Sequence, residues 1–350
     1  MMFISMTEIT KRDRGVPLQE LRDAAHFRFV RKIADGGMGS VYEAVLDGAM
    51  GFEKTVAIKT ILPSYSKNQE FVEMFIGEAK LVADLVHQNI CQVYQLGKAG
   101  DMYYIAMEYV AGISLQDFLN NHRDRSERVP PELGTFIISR VCRGLEYAHN
   151  KRDKNGQLLG VVHRDISPRN IMISTEGEVK LTDFGVAKAA NVMKDQEGSV
   201  LVGKIAYMSP EQAQFQATDA RSDIFSLGVN MYELLTGEDL FGAPDTTTVL
   251  QNVLTKDLPP PRQINAEIPE DVEKILLRAL HRNPAQRYQT AAEMGHDLEY
   301  AIYHKGYGPT IVTLQKYMRG LFPWLFANES EKKPPQEHHN TEGATVRLKK

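Results

Sequence analysis

The spacing of apolar and polar positions changes several times along the 350-residue chain, and each change marks an element. From Phe27 the alternation is strand-like: FRFVRKIADGGMGSVYEAVL reads as a strand, a glycine-rich turn and a second strand. GFEKTVAIKTI continues as a third strand. Successive side chains of a strand point to opposite faces, so Val56, Ile58 and Thr60 share one face and Thr55, Ala57, Lys59 and Ile61 the other. The period then lengthens. Phe71, Met74, Phe75, Glu78, Leu81, Val82 and Leu85 recur at spacings of three and four, which predicts an amphipathic helix over 68–86. Two further strands are expected at 90–97 and 103–109. Past Gly112 helical periodicity dominates, in segments 115–122, 131–151, 219–235, 246–252, 269–280 and 291–302. Short strands interrupt it at 161–162, paired with 171–174, and at 179–182. Ahead of Phe27, residues 1–26 form a weakly patterned lead-in, with a short helix expected over 18–25.

Five strands with one helix, followed by a helical mass, predict an α+β chain of two lobes with a cleft between them. The small lobe spans 27–110 and the larger, mainly helical lobe 111–304. An extension follows at 305–326, where Ile311, Leu314, Met318, Leu321 and Leu325 make one apolar helical face that stops at or beyond Pro323. That face is expected to dock on the chain's own body. The tail at 327–350 has almost no core-forming residues and reads as disordered.

Composition narrows the function classes. With 41 Lys and Arg against 45 Asp and Glu, the chain has no basic excess, so no nucleic-acid partner is expected. Its 43 % apolar and 25 % charged residues exclude fibrous and wholly disordered classes. Cys91 and Cys142 make neither a disulfide framework nor a CxxC pair, which favours a reducing compartment. Apolar runs fall short of the roughly 18 residues of a spanning helix, and the N-terminus lacks a signal-peptide pattern. A cytoplasmic location without a membrane span is therefore expected.

Three groups of residues carry candidate chemistry. Gly36, Gly37 and Gly39 sit between two strands; they suit either an ordinary hairpin turn or a loop whose amides approach an anion. A strand follows rather than a helix, and no GK[ST] is present, so neither a P-loop nor a dinucleotide fingerprint fits. Lys59 lies on the VAIK strand and Glu78 on the inward face of the helix, where an unpaired carboxylate is unfavourable. Pairing the two answers both charges, either as a structural ion pair or as a device that presents the ammonium to a phosphate. The sharpest signal is VVHRDISPRNIMI followed by LTDFGVAK. Asp165 and Asn170 lie five residues apart in one loop, and Asp183 follows thirteen residues later after another strand. Oxygen donors of this kind suit Mg²⁺ completed by substrate phosphates.

On these residues the chain resembles the eukaryotic-like serine/threonine protein kinase family, bacterial branch. The likeness runs from about residue 29 to 300 through IADGGMGSVY, VAIK, Glu78, MEYVAG, HRDISPRN, DFG, SPE, DIFSLGV and NPAQRY. It implies a bilobal kinase fold, with a small antiparallel-sheet lobe bearing one long helix. It also implies ATP and Mg²⁺ as cofactors and proteins as substrates. By the same resemblance Gly36 and Gly39 arch over the phosphates, while Ile33, Val41 and Ala57 cover the adenine. Met107 guards the back of the pocket, Glu108 and Val110 offer hinge backbone groups, and Met172 supports the base from below. Lys59, held by Glu78, grips the phosphates; Asn170 and Asp183 hold the metal; Asp165 orients the protein hydroxyl and receives its proton. The alternative is a pseudokinase acting as a nucleotide-binding scaffold, although all four polar residues such a protein usually lacks are present. A small-molecule phosphotransferase is disfavoured by SPE, Asp223 and Arg287.

The departures from the family pattern are informative. Ala34 replaces the first loop glycine. Ser167 stands where most members have lysine, and Lys204 where they have threonine, which suggests a reciprocal exchange with the Lys204 ammonium turned toward Asp165. Between Val186 and Met208 only Ser199 and Tyr207 can be phosphorylated, while Asp195 and Glu197 offer permanent negative charge. KRDKNGQLLG reads as a surface hairpin turning at Asn155-Gly156. In the tail, Thr341 and Thr345 are candidate autophosphorylation sites, and Thr345-Val-Arg-Leu is a candidate motif for a phosphothreonine-reader protein. Substrate, activating signal and oligomeric state are not written in the sequence.

Overall fold

The computed structural model describes residues 20–22, 26–35, 39–61, 68–184 and 204–329. Six strands form one antiparallel sheet: β1 (Glu20–Arg22), β2 (His26–Asp35), β3 (Gly39–Asp47), β4 (Glu53–Ile61), β5 (Val93–Ala99) and β6 (Met102–Glu108), in the order β1-β2-β3-β4-β6-β5. The central strand β4 is buried on both faces, and each face meets a different neighbour. Val56 and Ile58 pack with Phe27 and Tyr104, whereas Ala57 packs with Cys91 and Met107. Helix α1 (Gln69–Val82) starts where the Asn68 side chain accepts hydrogen bonds from the amides of Glu70 and Phe71. Its Val72, Phe75 and Ala79 close over Ile61 and Ile105.

The second lobe is built on α2 (Leu115–Arg125), α3 (Pro131–His149) and α5 (Ala220–Thr236), with α6 (Thr246–Thr255), α8 (Glu270–Ala279) and α9 (Ala291–Tyr303) around them. Two short helical pieces, α4 (Pro210–Ala213) and α7 (Pro261–Ile264), complete this set. Every residue from Ser222 to Thr236 of α5 is buried, polar ones included, so this helix is the axis of the lobe rather than an amphipathic cover. Between the lobes lies a three-stranded sheet of β7 (Gly112–Ser114), β8 (Ile171–Ser174) and β9 (Val179–Leu181).

Two local expectations are corrected. Within the helix expected over 18–25, the described residues Glu20–Arg22 are instead an edge strand, pairing antiparallel with His26–Arg28. So short and uncapped a helix is marginal in water, and sheet pairing wins. Residues 161–162 are not a strand either; β8 pairs with β7 and β9. Val161 and Val162 are apolar because they are buried in the large lobe's core, not because they belong to a ladder. Gly112 makes the observed pairing feasible, since a Cβ there would stand 2.0 Å from the Ile173 carbonyl oxygen. The 151–160 segment forms the expected hairpin, with an Arg152–Leu158 bridge and Gly156 at φ +80.

The C-terminal helix α10 (Ile311–Leu321) docks on the body. Leu314 and Met318 are fully buried, the Tyr317 hydroxyl lies 2.8 Å from His122 Nε2 on α2, and Phe322 packs beside Phe118. Ile311 is not part of the docked face; it is 48 % exposed. The α-helix ends at Leu321, and after non-helical Phe322 Pro323 opens a separate 3₁₀ segment, Pro323–Glu329, in which Phe326 is buried.

Candidate active site

The loop between α3 and β8 carries Asp165 and Asn170, and its shape is set by a carboxylate from another element. Asp223, 1 % exposed on α5, accepts hydrogen bonds from the backbone amides of His163 (2.8 Å) and Arg164 (2.7 Å) and bonds His149 Nε2 at 2.8 Å. Burial pushes the Asp223 carboxyl up. The hydrogen bonds from His149 and the Arg164 amide outweigh burial and hold it below its ordinary value. These bonds support a strained backbone: Arg164 has φ +63, a region that non-glycine residues seldom occupy. His163 is buried and kept neutral by desolvation; its Nε2 lies 3.0 Å from the Thr182 carbonyl and its ring 4.4 Å from that of Phe184.

These supports bring four of the predicted residues into two contacts. Lys59 on β4 places Nζ 2.8 Å from Asp183 Oδ1, and Asp183 itself has φ +53. Asn170 donates from Nδ2 to the Asp165 carbonyl (2.7 Å) and to Asp165 Oδ2 (3.0 Å). The two halves are stitched where the Thr182 amide donates to the Asn170 carbonyl at 2.9 Å. Lys204 also reaches this pair, with Nζ 3.8 Å from Asp165 Oδ2. Ser167 is 4 % exposed, and its Oγ has no hydrogen-bond partner among the described residues.

Above this polar floor, Ala57, Cys91 and Met107 form a small apolar cluster, joined by the partly buried Val41, Val93 and Val110. Ile33 on β2 and Met172 on β8 lie outside that cluster, Ile33 being 41 % exposed. Gly39 opens β3 opposite Ile61. Gly36 and Ser199 lie outside the described residues, and of Glu78 only the backbone position on α1 is described. A cavity of about 20 Å³ behind Met107 is lined by Lys59, Cys91, Asp183 and Phe184. The larger recess, about 680 Å³, lies between α3 and α9 and holds none of the predicted site residues.

One contact was not foreseen. Lys180 on β9 reaches Glu108 Oε1 at 2.9 Å, while Glu108 Oε2 accepts from the Gln92 amide, so a half-buried ion pair ties the hinge to the strand leading into Asp183. Its trace in the sequence is a lysine inside the otherwise apolar VKL strand. Among the described residues no group of three His, Cys, Asp or Glu side chains could hold a metal by itself. A cation held by Asn170 and Asp183 needs further oxygens, which phosphates supply, so the donor set fits Mg²⁺.

A two-lobed chain with these paired residues between the lobes is a protein kinase in architecture, and a family model described as "Protein kinase domain" matches residues 27–298. The chain belongs to the protein kinase family, in its bacterial, eukaryotic-like branch. It is 41 % identical over 307 residues to "Tyrosine-protein kinase MasK" of Myxococcus xanthus (strain DK1622), covering 88 % of this chain and 47 % of that protein. It is 33 % identical over 284 residues to "Serine/threonine-protein kinase PrkC" of Bacillus subtilis (strain 168), covering 80 % and 41 %. The chain thus spans less than half the length of these curated relatives. Among solved structures, the Mycobacterium tuberculosis PknI kinase domain matches with a TM-score of 0.58 at 24 % identity, covering 78 % of this chain and 94 % of that one. Among the described residues no helix is long and apolar enough to cross a membrane.

Proposed function

We propose that this chain is a protein kinase that transfers the γ-phosphoryl group of ATP, with Mg²⁺, to serine and threonine hydroxyls of proteins. The observation that carries the reading is the convergence of the Lys59–Asp183 and Asn170–Asp165 pairs at one cleft in a chain of this family. Lys59, with Glu78 as its partner, grips the α- and β-phosphates, and Asn170 and Asp183 hold the metal. Bound magnesium would neutralise charge on the β- and γ-phosphates. Asp165 orients the incoming hydroxyl and takes its proton. The adenine sits against Ile33, Val41 and Ala57 above and Met172 below, with Met107 behind it and the backbone of Glu108 and Val110 at its edge. Gly36 and Gly39 let the loop close over the phosphates. Positioning and charge stabilisation supply the rate, with no covalent enzyme intermediate.

In this reading the partners are protein substrates in the cytoplasm. They include the chain's own Thr341 and Thr345, which a phosphothreonine reader would then recognise. A second reading is favoured by one observation: the relative at 41 % identity is named a tyrosine-protein kinase. The test is radiolabel transfer from ATP to a generic basic protein, with phosphoamino-acid analysis, comparing wild type and Asp183→Asn. Label on serine and threonine that vanishes in Asp183→Asn is expected. Label on tyrosine alone selects the second reading, and ATP binding without transfer leaves a pseudokinase.

A further inference from the structure

We infer that Lys204 is a catalytic residue: the segment entering α4 delivers its ammonium to Asp165 and the transferred phosphoryl group, a charge that the catalytic loop does not supply. The inference rests on the kinase reading above and names a further group in the same site. Among the described residues, three other cations on the elements that build the site are directed elsewhere. Lys59 is on Asp183, Arg164 donates from Nε to Thr218 Oγ1 at 3.2 Å, and Arg169 points its exposed residue surface to solvent. Lys204 meets the Asp165 carboxylate, with Nζ 3.8 Å from Oδ2 and its side chain 28 % exposed. Position 167 on the loop itself holds only a buried hydroxyl.

The placement of Lys204 is built into its surroundings. Ile205 and Ala206, which follow it, are buried, and the Tyr207 amide donates back to the Lys204 carbonyl at 3.2 Å. The Tyr207 hydroxyl bonds Glu233 of α5, and Arg123 of α2 bonds the same carboxylate. One turn further, Gln212 donates from Nε2 to the Arg164 carbonyl at 2.9 Å. The segment carrying Lys204 is therefore fastened to the very loop that carries Asp165. Tyr207 and Gln212 are positioning residues in this arrangement.

The step balances without any further reactant. The hydroxyl oxygen forms its bond to the γ-phosphorus as the bond to the bridging oxygen of ADP breaks. ADP departs with that electron pair, and the hydroxyl proton goes to Asp165. Lys204 stays protonated throughout, donating to a γ-phosphoryl oxygen while its charge offsets that of the carboxylate. A fixed cation aimed where charge builds up lowers the barrier without reorganising.

Full-chain Lys204→Met, Lys204→Arg and Arg169→Met are compared with wild type for kcat, KM for ATP, nucleotide affinity and thermal midpoint. Lys204→Met is expected to lower kcat about 100-fold or more, the scale of losing one fixed charge donor. ATP affinity and midpoint should stay near wild type. Lys204→Arg, which keeps the charge, is expected to recover at least tenfold of that loss. A wild-type kcat in Lys204→Met overturns the inference. So does a loss that Arg cannot restore, or a loss found in Arg169→Met instead. An active wild type indifferent to Lys204→Met removes this inference alone, whereas a wild type that transfers no phosphoryl removes the kinase reading with it.

Discussion

Arg287→Met isolates a buried ion pair of the large lobe. The Arg287 guanidinium is fully buried and spends all its donors: two on Glu211, at 2.7 and 2.8 Å, and the others on the carbonyls of His281 (2.6 Å), Arg221 (3.0 Å) and Arg282 (2.9 Å). It also lies over the Phe225 ring, 4.9 Å from the centroid. Methionine fills much of the volume but leaves the Glu211 carboxylate, 7 % exposed, with Ser222 Oγ at 2.7 Å as its remaining side-chain partner. Removing one member of a buried pair costs about 3–5 kcal/mol, because the survivor stays desolvated. Against a total stability of about 5–15 kcal/mol, that is a large fraction. Urea unfolding of the full chain followed by tryptophan fluorescence and circular dichroism measures it. The pH dependence supplies a second check. Burial pushes Glu211 up, but the hydrogen bonds from Arg287 and Ser222 outweigh it, so its folded pKa lies below the unfolded one. A group depressed in the folded state stabilises above its unfolded pKa, about 4.3, and loses that contribution as pH falls through the folded value. In Arg287→Met burial is left largely unopposed and raises Glu211, so protonation relieves the variant first. The gap should be full at high pH, begin to narrow above about pH 4.3, and narrow further below it as wild type loses its own contribution. A gap under about 1 kcal/mol at pH 7, or one unchanged in acid, would refute the reasoning.

Two further outcomes follow from local geometry. Gly177, in the β8–β9 turn at φ +81, has no room for a Cβ, which would stand 2.0 Å from the Ile311 carbonyl oxygen; Gly156, at φ +80, has open space around it. Gly177→Ala is thus expected to lose more stability than Gly156→Ala, whose loss is only backbone strain of about 1–2 kcal/mol, and to expose the 305–310 link to protease; equal losses for both would argue against the α10 contact. Cys91 and Cys142, at 8 % and 1 % exposure, have thiol pKa values pushed far up by burial, so neither should react with iodoacetamide at pH 8 until the chain is unfolded. Rapid labelling of the native protein would contradict this.

The polar cluster of the candidate site was marked by residue type and spacing, while the roles around the adenine came with the family resemblance. The loop that carries Asp165 and Asn170, the strand that follows, and Asp183 beyond it are local in sequence, and their order survives folding unchanged. The turn at Asn155-Gly156 and the amphipathic face of α1 were legible for the same reason: neighbouring residues determine both. Charge pairing was less so. The Lys59–Asp183 contact depends on how β4 and the Asp183 strand-end are brought together across 124 residues, which no local pattern marks. Lys180–Glu108 and His149–Asp223 join distant elements in the same way.

The sequence by itself determined the two-lobed class, the periodic elements and the identity of the polar residues at the cleft, because burial of one face imprints a period on neighbouring positions. The tertiary structure alone decided partners. It chose Gly112–Ser114 over 161–162 as a mate of β8, turned Glu20–Arg22 into an edge strand, and laid α10 along α2. A hydrophobic period records that a face is covered but not by what. Pairing is settled by close approach of chains far apart in sequence, down to whether a single Cβ fits beneath a carbonyl.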